Sequence, residues 1–221
     1  MNKNVQKWVI LLSPLVLICC ILFNKVLFDD YLFQGGDSLS PKAVRLGIEN
    51  STDEFGEYPL WMPWVFSGMP SVHSFQNISD YYFPNYFMKG LNSLGVPWFW
   101  NFLLHLFFAG IGMYLLTRSL NLNKVSSLTA AISFSLMPYI TAMLVHGHGS
   151  QIMTIAYMPW IFYGYLRIKK NMSLKNTGIF ALLIGLQLLR GHVQMAYYTW
   201  LMLGICILID LIYQIIDKKV N

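Results

Sequence analysis

Three short stretches of this 221-residue chain concentrate side chains that could do chemistry. In Gly35-Gly36-Asp37, two glycines let the backbone turn sharply and approach another molecule closely. Asp37 then offers a carboxylate suited to general-base work or to a metal ion. The same residues also read as a turn with an aspartate capping the helix-like Ser40-Pro41-Lys42-Ala43-Val44. In His146-Gly147-His148-Gly149-Ser150-Gln151, two imidazoles separated by glycine could contact a phosphate or a metal. A metal needs more ligands than this motif supplies, and a tight polar turn is the other reading. In Arg190-Gly191-His192-Val193-Gln194, an arginine beside a histidine carries the donors for charge-assisted hydrogen bonds to a phosphate.

What positions these residues follows from the rest of the chain. Apolar residues make up 56% and charged ones only 11%, against about a quarter charged in soluble domains, and the mean hydropathy is +0.49. That excludes a soluble enzyme, a disordered tail and a small disulfide scaffold. Cys19, Cys20 and Cys206 lie within apolar runs, with no zinc-ligand spacing. Apolar stretches predict six crossings: Trp8 to Phe28, Phe99 to Leu116, Val125 to Val145, Ile152 to Leu166, Thr177 to Leu189 and Val193 to Tyr213. The fourth and fifth reach only about 20 Å as helices, so they borrow flanking residues or end inside a protein-lined cavity. The first lacks a small-residue cleavage pattern and reads as a retained anchor, not a signal peptide.

With both termini cytoplasmic, ten of the fifteen basic residues lie inside against two acids, Asp210 and Asp217. Five basic residues and eight acids lie outside, so the net charge of +5 is an orientation signal. No support for nucleic-acid binding is left. The predicted fold is an all-α polytopic membrane protein. Residues 1–28 form the N-terminus and first helix, 29–98 a large extracytoplasmic loop, 99–214 a five-helix bundle and 215–221 a cytoplasmic tail.

The loop holds all eight outer acids and many aromatics, among them Tyr58, Trp61, Trp64, Phe66, Tyr82 and Phe87. Its stretch from Ser79 to Leu94 reads as a helix in the interface plane with Lys89 at the headgroups. The aromatics form an interfacial belt, sugar-binding platforms, or both. All three polar stretches fall on this outer surface, as does His73. For Arg190 the alternative to phosphate binding is snorkelling to headgroups. His105 lies within the second span, where ionisable residues are costly and point to function.

Gly36-Asp37, followed by Pro59-Leu60-Trp61-Met62-Pro63-Trp64-Val65-Phe66-Ser67-Gly68-Met69-Pro70, resembles the YfhO-type bacterial membrane proteins. So do Ala109-Gly110-Ile111-Gly112-Met113-Tyr114-Leu115-Leu116, His146-Gly147-His148-Gly149 and Leu189-Arg190-Gly191-His192. The W-x-P-x-x-F-x-G-x-P pattern is the specific part, and the resemblance runs from about residue 30 to 215.

The resemblance implies a GT-C-like glycosyltransferase that takes a sugar from a polyprenyl-phosphate carrier outside the bacterial cytoplasmic membrane. It implies that an aspartate of the first outer loop is the catalytic carboxylate. Asp37 matches that position best, with Asp29 and Asp30 as alternatives. Arg190 and His192 as donor-phosphate contacts, and His73, His146, His148 and Gln151 as polar lining, are inferred from their chemistry. A divalent metal is left open, and the expected partners are the lipid-linked sugar and bilayer lipids. Family members are several times longer, so the chain is expected to be their N-terminal part: the product of a truncated gene, a fragment of a longer chain, or one part of a split protein completed by a C-terminal partner polypeptide. A lipid-carrier transporter or flippase component, an accessory subunit and an inactive remnant are the competing readings.

Overall fold

The computed structural model describes residues 3–29, 31, 33, 39–71 and 82–220. They are mostly helical. In chain order come α1 (Lys3–Leu22), α2 (Asn24–Phe28), α3 (Leu39–Phe55), strands β1 (Trp61–Met62) and β2 (Met69–Pro70), and α4 (Pro84–Ser93). The bundle follows with α5 (Trp100–Ser119), α6 (Lys124–Ser135), α7 (Pro138–His146), α8 (Gly149–Ile155), α9 (Met158–Lys170), α10 (Leu174–Leu189) and α11 (Val193–Val220). Starts are marked by chemistry that satisfies or removes orphan N–H groups. Proline stands in the first turn of α4, α7 and α9. Asn123 accepts from the Ser126 N–H at α6, and Ser173 from the Asn176 N–H at α10.

Three segments are long and apolar enough to cross a membrane: Trp100–Ser119, Lys124–His146 and Val193–Asp217. The second is α6 and α7 together, interrupted where Pro138 cannot supply an N–H. The fourth predicted span is also interrupted, into α8 and α9 at Pro159. The fifth is α10, whose 16 residues reach about 24 Å. Only 11% of the Val193–Asp217 window is buried, so α11 turns rows of Leu and Ile outward. A helix apolar all round and uncovered by protein suits hydrocarbon.

α5 is the axis around which α1, α6, α8 and α9 pack. Small residues let its neighbours come close. A Cβ on Gly112 would lie 2.5 Å from Trp160 Cδ1, and one on Gly110 would lie 2.8 Å from Ser135 Oγ. Trp160 is held there by stacking on Phe108 at 4.9 Å and by donating to the Phe108 carbonyl at 2.7 Å. One core cluster joins α1, α5, α7 and α8 through Leu15, Leu103, Leu106, Ile140 and Ile152. A second, around Tyr82, Tyr157, Ile161 and Leu183, lies on the α9–α10 side.

Within 29–98, the described residues form a helix, a tight hairpin and a second helix. β1 and β2 pair antiparallel, Trp61 opposite Pro70 and Met62 opposite Met69. The turn uses left-handed backbone at Phe66, Ser67 and Gly68. Only glycine fits at 68, since a Cβ would meet Trp61 Cζ2 at 2.8 Å. Met62 is fully buried, and the Trp64 indole lies against Gly47 of α3. The W-x-P-x-x-F-x-G-x-P pattern thus has a structural cause: it is a hairpin closed on its own tryptophan.

Candidate functional site

The chemistry gathers where α10 ends and α5 begins, with α4 beside them. Arg190 follows directly on α10, where a snorkelling side chain would be exposed; it is 5% exposed. Its guanidinium sits 4.7 Å from the centre of the Tyr82 ring, within cation–π range. Nη1 donates to Asn85 Oδ1 at 3.4 Å, and Nε has no partner. Among the described residues no carboxylate pairs with it. Burial lowers the Arg190 pKa, opposed by the neighbouring tyrosines Tyr82 and Tyr157. A buried guanidinium with spare donors and no counterion is an unfinished anion site.

A directed chain of hydrogen bonds runs beside it. Asn101 and His105 stand four apart on one face of α5, and His105 Nδ1 donates to the Asn101 carbonyl at 2.7 Å. That assignment makes Nε2 the acceptor of the neutral ring, so it receives the Tyr82 hydroxyl at 3.2 Å. Tyr82 in turn accepts from the Tyr157 hydroxyl at the start of α9. Burial raises the Tyr82 pKa, against the pull of its bond to Tyr157 and of Arg190, so its hydroxyl keeps its proton at physiological pH. Asn101 is buried, and its Nδ2 is without a partner.

A cavity of about 300 Å³ opens over this floor. Phe83, Phe87, Leu104, Phe108, Leu183 and Leu186 form apolar walls, while Asn101, His105, Tyr82 and Tyr157 line its polar side. Apolar walls with a few convergent polar groups are the usual form of a small-molecule site.

Not all the residues singled out from sequence share this place. Asp37, Asp30 and His73 lie outside the described residues. Asp29 is exposed at the C-terminus of α2. Gly147 ends α7 in the left-handed region, so the His-Gly-His stretch is a helix-ending turn. His146 there donates to its own helix at Ala142 O. Gln151 is buried and donates to the Tyr139 hydroxyl. His192 is half-buried, its Nδ1 accepting from the Met195 N–H at 3.4 Å. Burial lowers its pKa, and the charge of His148 lowers it further; α8 and α11, which follow the two turns, pack together. Among the described residues no three His, Cys, Asp or Glu side chains converge as a metal site.

Asn85 and Tyr157 escaped the sequence reading, and Tyr82 entered it only as one of the loop's aromatics. Tyr82 sits within Tyr81-Tyr82-Phe83, and Tyr157 within an apolar span; nothing local separates either from its neighbours. The spacing of Asn101 and His105 was the available signal. Set against protein-family models, curated proteins and solved structures, the chain matches none.

Proposed function

We propose that this chain binds a lipid-linked phosphate at the Arg190 end of its bundle and is a GT-C-like glycosyltransferase, or the N-terminal part of one. It moves a sugar from polyprenyl phosphate to an acceptor hydroxyl outside the bacterial cytoplasmic membrane. The supporting observation is Arg190: a buried cation with unused donors and no described carboxylate partner, beside an apolar cavity suited to part of a prenyl chain. In the reaction, Asp37 takes the acceptor proton as the acceptor oxygen bonds to the sugar's anomeric carbon. The bond from that carbon to the phosphate oxygen breaks, and the polyprenyl phosphate departs with the electron pair. Arg190 offsets the charge that develops on it, with His192 as a further donor. General-base catalysis is worth about 10²–10⁴-fold.

The transporter reading needs polar groups lining a path across the bundle. Gln187, fully buried in α10, is instead engaged by Thr154, Thr199 and Trp200, which weighs against it.

The test supplies membranes carrying the chain with labelled polyprenyl-phosphosugar, and measures donor binding alongside transfer. Arg190→Gln should weaken binding at least tenfold, and Asp37→Asn should stop transfer while leaving binding intact. Unchanged donor binding in Arg190→Gln would reject the phosphate site, and undiminished transfer in Asp37→Asn would remove Asp37 from the mechanism.

A further inference from the structure

At the far end of α5 lies a second cavity, of about 570 Å³, between the ends of α5 and α9. Four cations line it: Arg118, Arg167, Lys169 and Lys170. Cations complement the carbonyl ends of helices, and that accounts for some of them. Arg118 does bond the Leu122 carbonyl. Lys169 is matched by Asp210 of α11 at 2.6 Å. Arg167 and Lys170 add two more positive charges, and no acidic side chain lines the cavity. The rest of the wall includes Leu115, Leu120 and Leu166, with the polar Ser119 and Asn121.

We infer that this cavity is a binding site for the phosphate headgroup of an anionic phospholipid, with the leucines taking the start of its acyl chains. Basic pockets between membrane helices hold such headgroups through charge and hydrogen bonds together. A free phosphate would share the polar contacts but has no use for the leucines, which is why the lipid is the assigned ligand. The inference needs α5 and α9 to end at a membrane surface, and it stands whether or not the transferase reading does.

The experiment places the full chain in detergent and titrates phosphatidylglycerol, phosphatidylcholine or inorganic pyrophosphate while following thermal unfolding. Phosphatidylglycerol alone should stabilise, with a midpoint that rises with salt. Arg167→Gln with Lys170→Gln should weaken it about 25-fold, at about five-fold per cation. The charge-conserving pair Arg167→Lys with Lys170→Arg should restore most of it, which separates binding from misfolding. Equal stabilisation by phosphatidylcholine, or an undiminished response in the glutamine pair, would overturn the site. Pyrophosphate acting as well as the lipid would reassign it to a soluble phosphate and overturn the lipid assignment.

Discussion

Removing the Tyr82 hydroxyl while keeping its ring separates two things that side chain does. The ring carries Arg190 on its face, while the hydroxyl links Tyr157 to His105. Tyr82→Phe should leave the guanidinium in place but strand a buried acceptor on His105 and a donor on Tyr157. The expected loss is about 1–3 kcal/mol of stability, with donor-phosphate binding largely kept; Tyr82→Leu should lose both. Thermal unfolding and polyprenyl-phosphate titration of the two variants check this, and equal binding by both would mean that the ring does not hold Arg190. His192 gives a pH signature at the same scale. Its folded pKa lies below the ordinary 6.5 because of burial, so the unfolded chain binds more protons just below that value. Stability should therefore be full above about pH 6.5 and fall as pH drops through the window beneath it. A His192→Asn variant should flatten that slope, and an unaltered slope would assign it to other groups.

Helix packing tests the elements in the same way. Gly112→Ala would drive a methyl into Trp160, which is fixed by stacking and a hydrogen bond. Overpacking of this kind costs about 1–3 kcal/mol, measurable as earlier unfolding in detergent, and no shift would mean that α5 and α9 separate easily. Gln187→Leu tests how α10 is joined to α8 and α11. It removes the acceptor of Trp200 Nε1 and the donor to Thr199 and Thr154. An interhelical hydrogen bond in membranes is worth about 0.6–1.7 kcal/mol, so a loss near 1 kcal/mol is expected in the same assay.

These elements also mark what the sequence could show. Runs of apolar residues located α5, α10 and the start of α11 within three residues, because burial in hydrocarbon needs only composition, while α11 runs seven residues past its predicted end into a polar stretch. The break before Pro138 left hydropathy unchanged, so α6 and α7 read as one span. The hairpin at Trp61–Pro70 was visible only as a motif, since its cause is the contact of Gly68 with Trp61. Arg190 was legible because an arginine beside a histidine at a turn between spans carries the donors for a phosphate. Tyr157 was not, because its role depends on Tyr82, 75 positions away.

Across the whole molecule, the two polar sites sit at opposite ends of one helix. His105 lies near the start of α5 and Arg118 near its end, about 20 Å apart by helix rise. If the proposed orientation holds, the Arg190 end faces outward with the acid-rich segment 29–98, and the Arg118 end faces the cytoplasm, as the positive-inside rule requires. Leu94 and Met172 are each 81% exposed and belong to opposite ends, Leu94 just before α5 and Met172 in the turn between α9 and α10. Single cysteines placed there, in a chain whose Cys19, Cys20 and Cys206 have been replaced by serine or alanine, report the two sides. A membrane-impermeant maleimide on intact cells should label Leu94→Cys at once and Met172→Cys only after permeabilisation. The inverse pattern would put Arg190 on the cytoplasmic side. It would defeat transfer outside the membrane even if phosphate binding at Arg190 survived, because the phosphate site and the outer acceptor would then be separated by the bilayer.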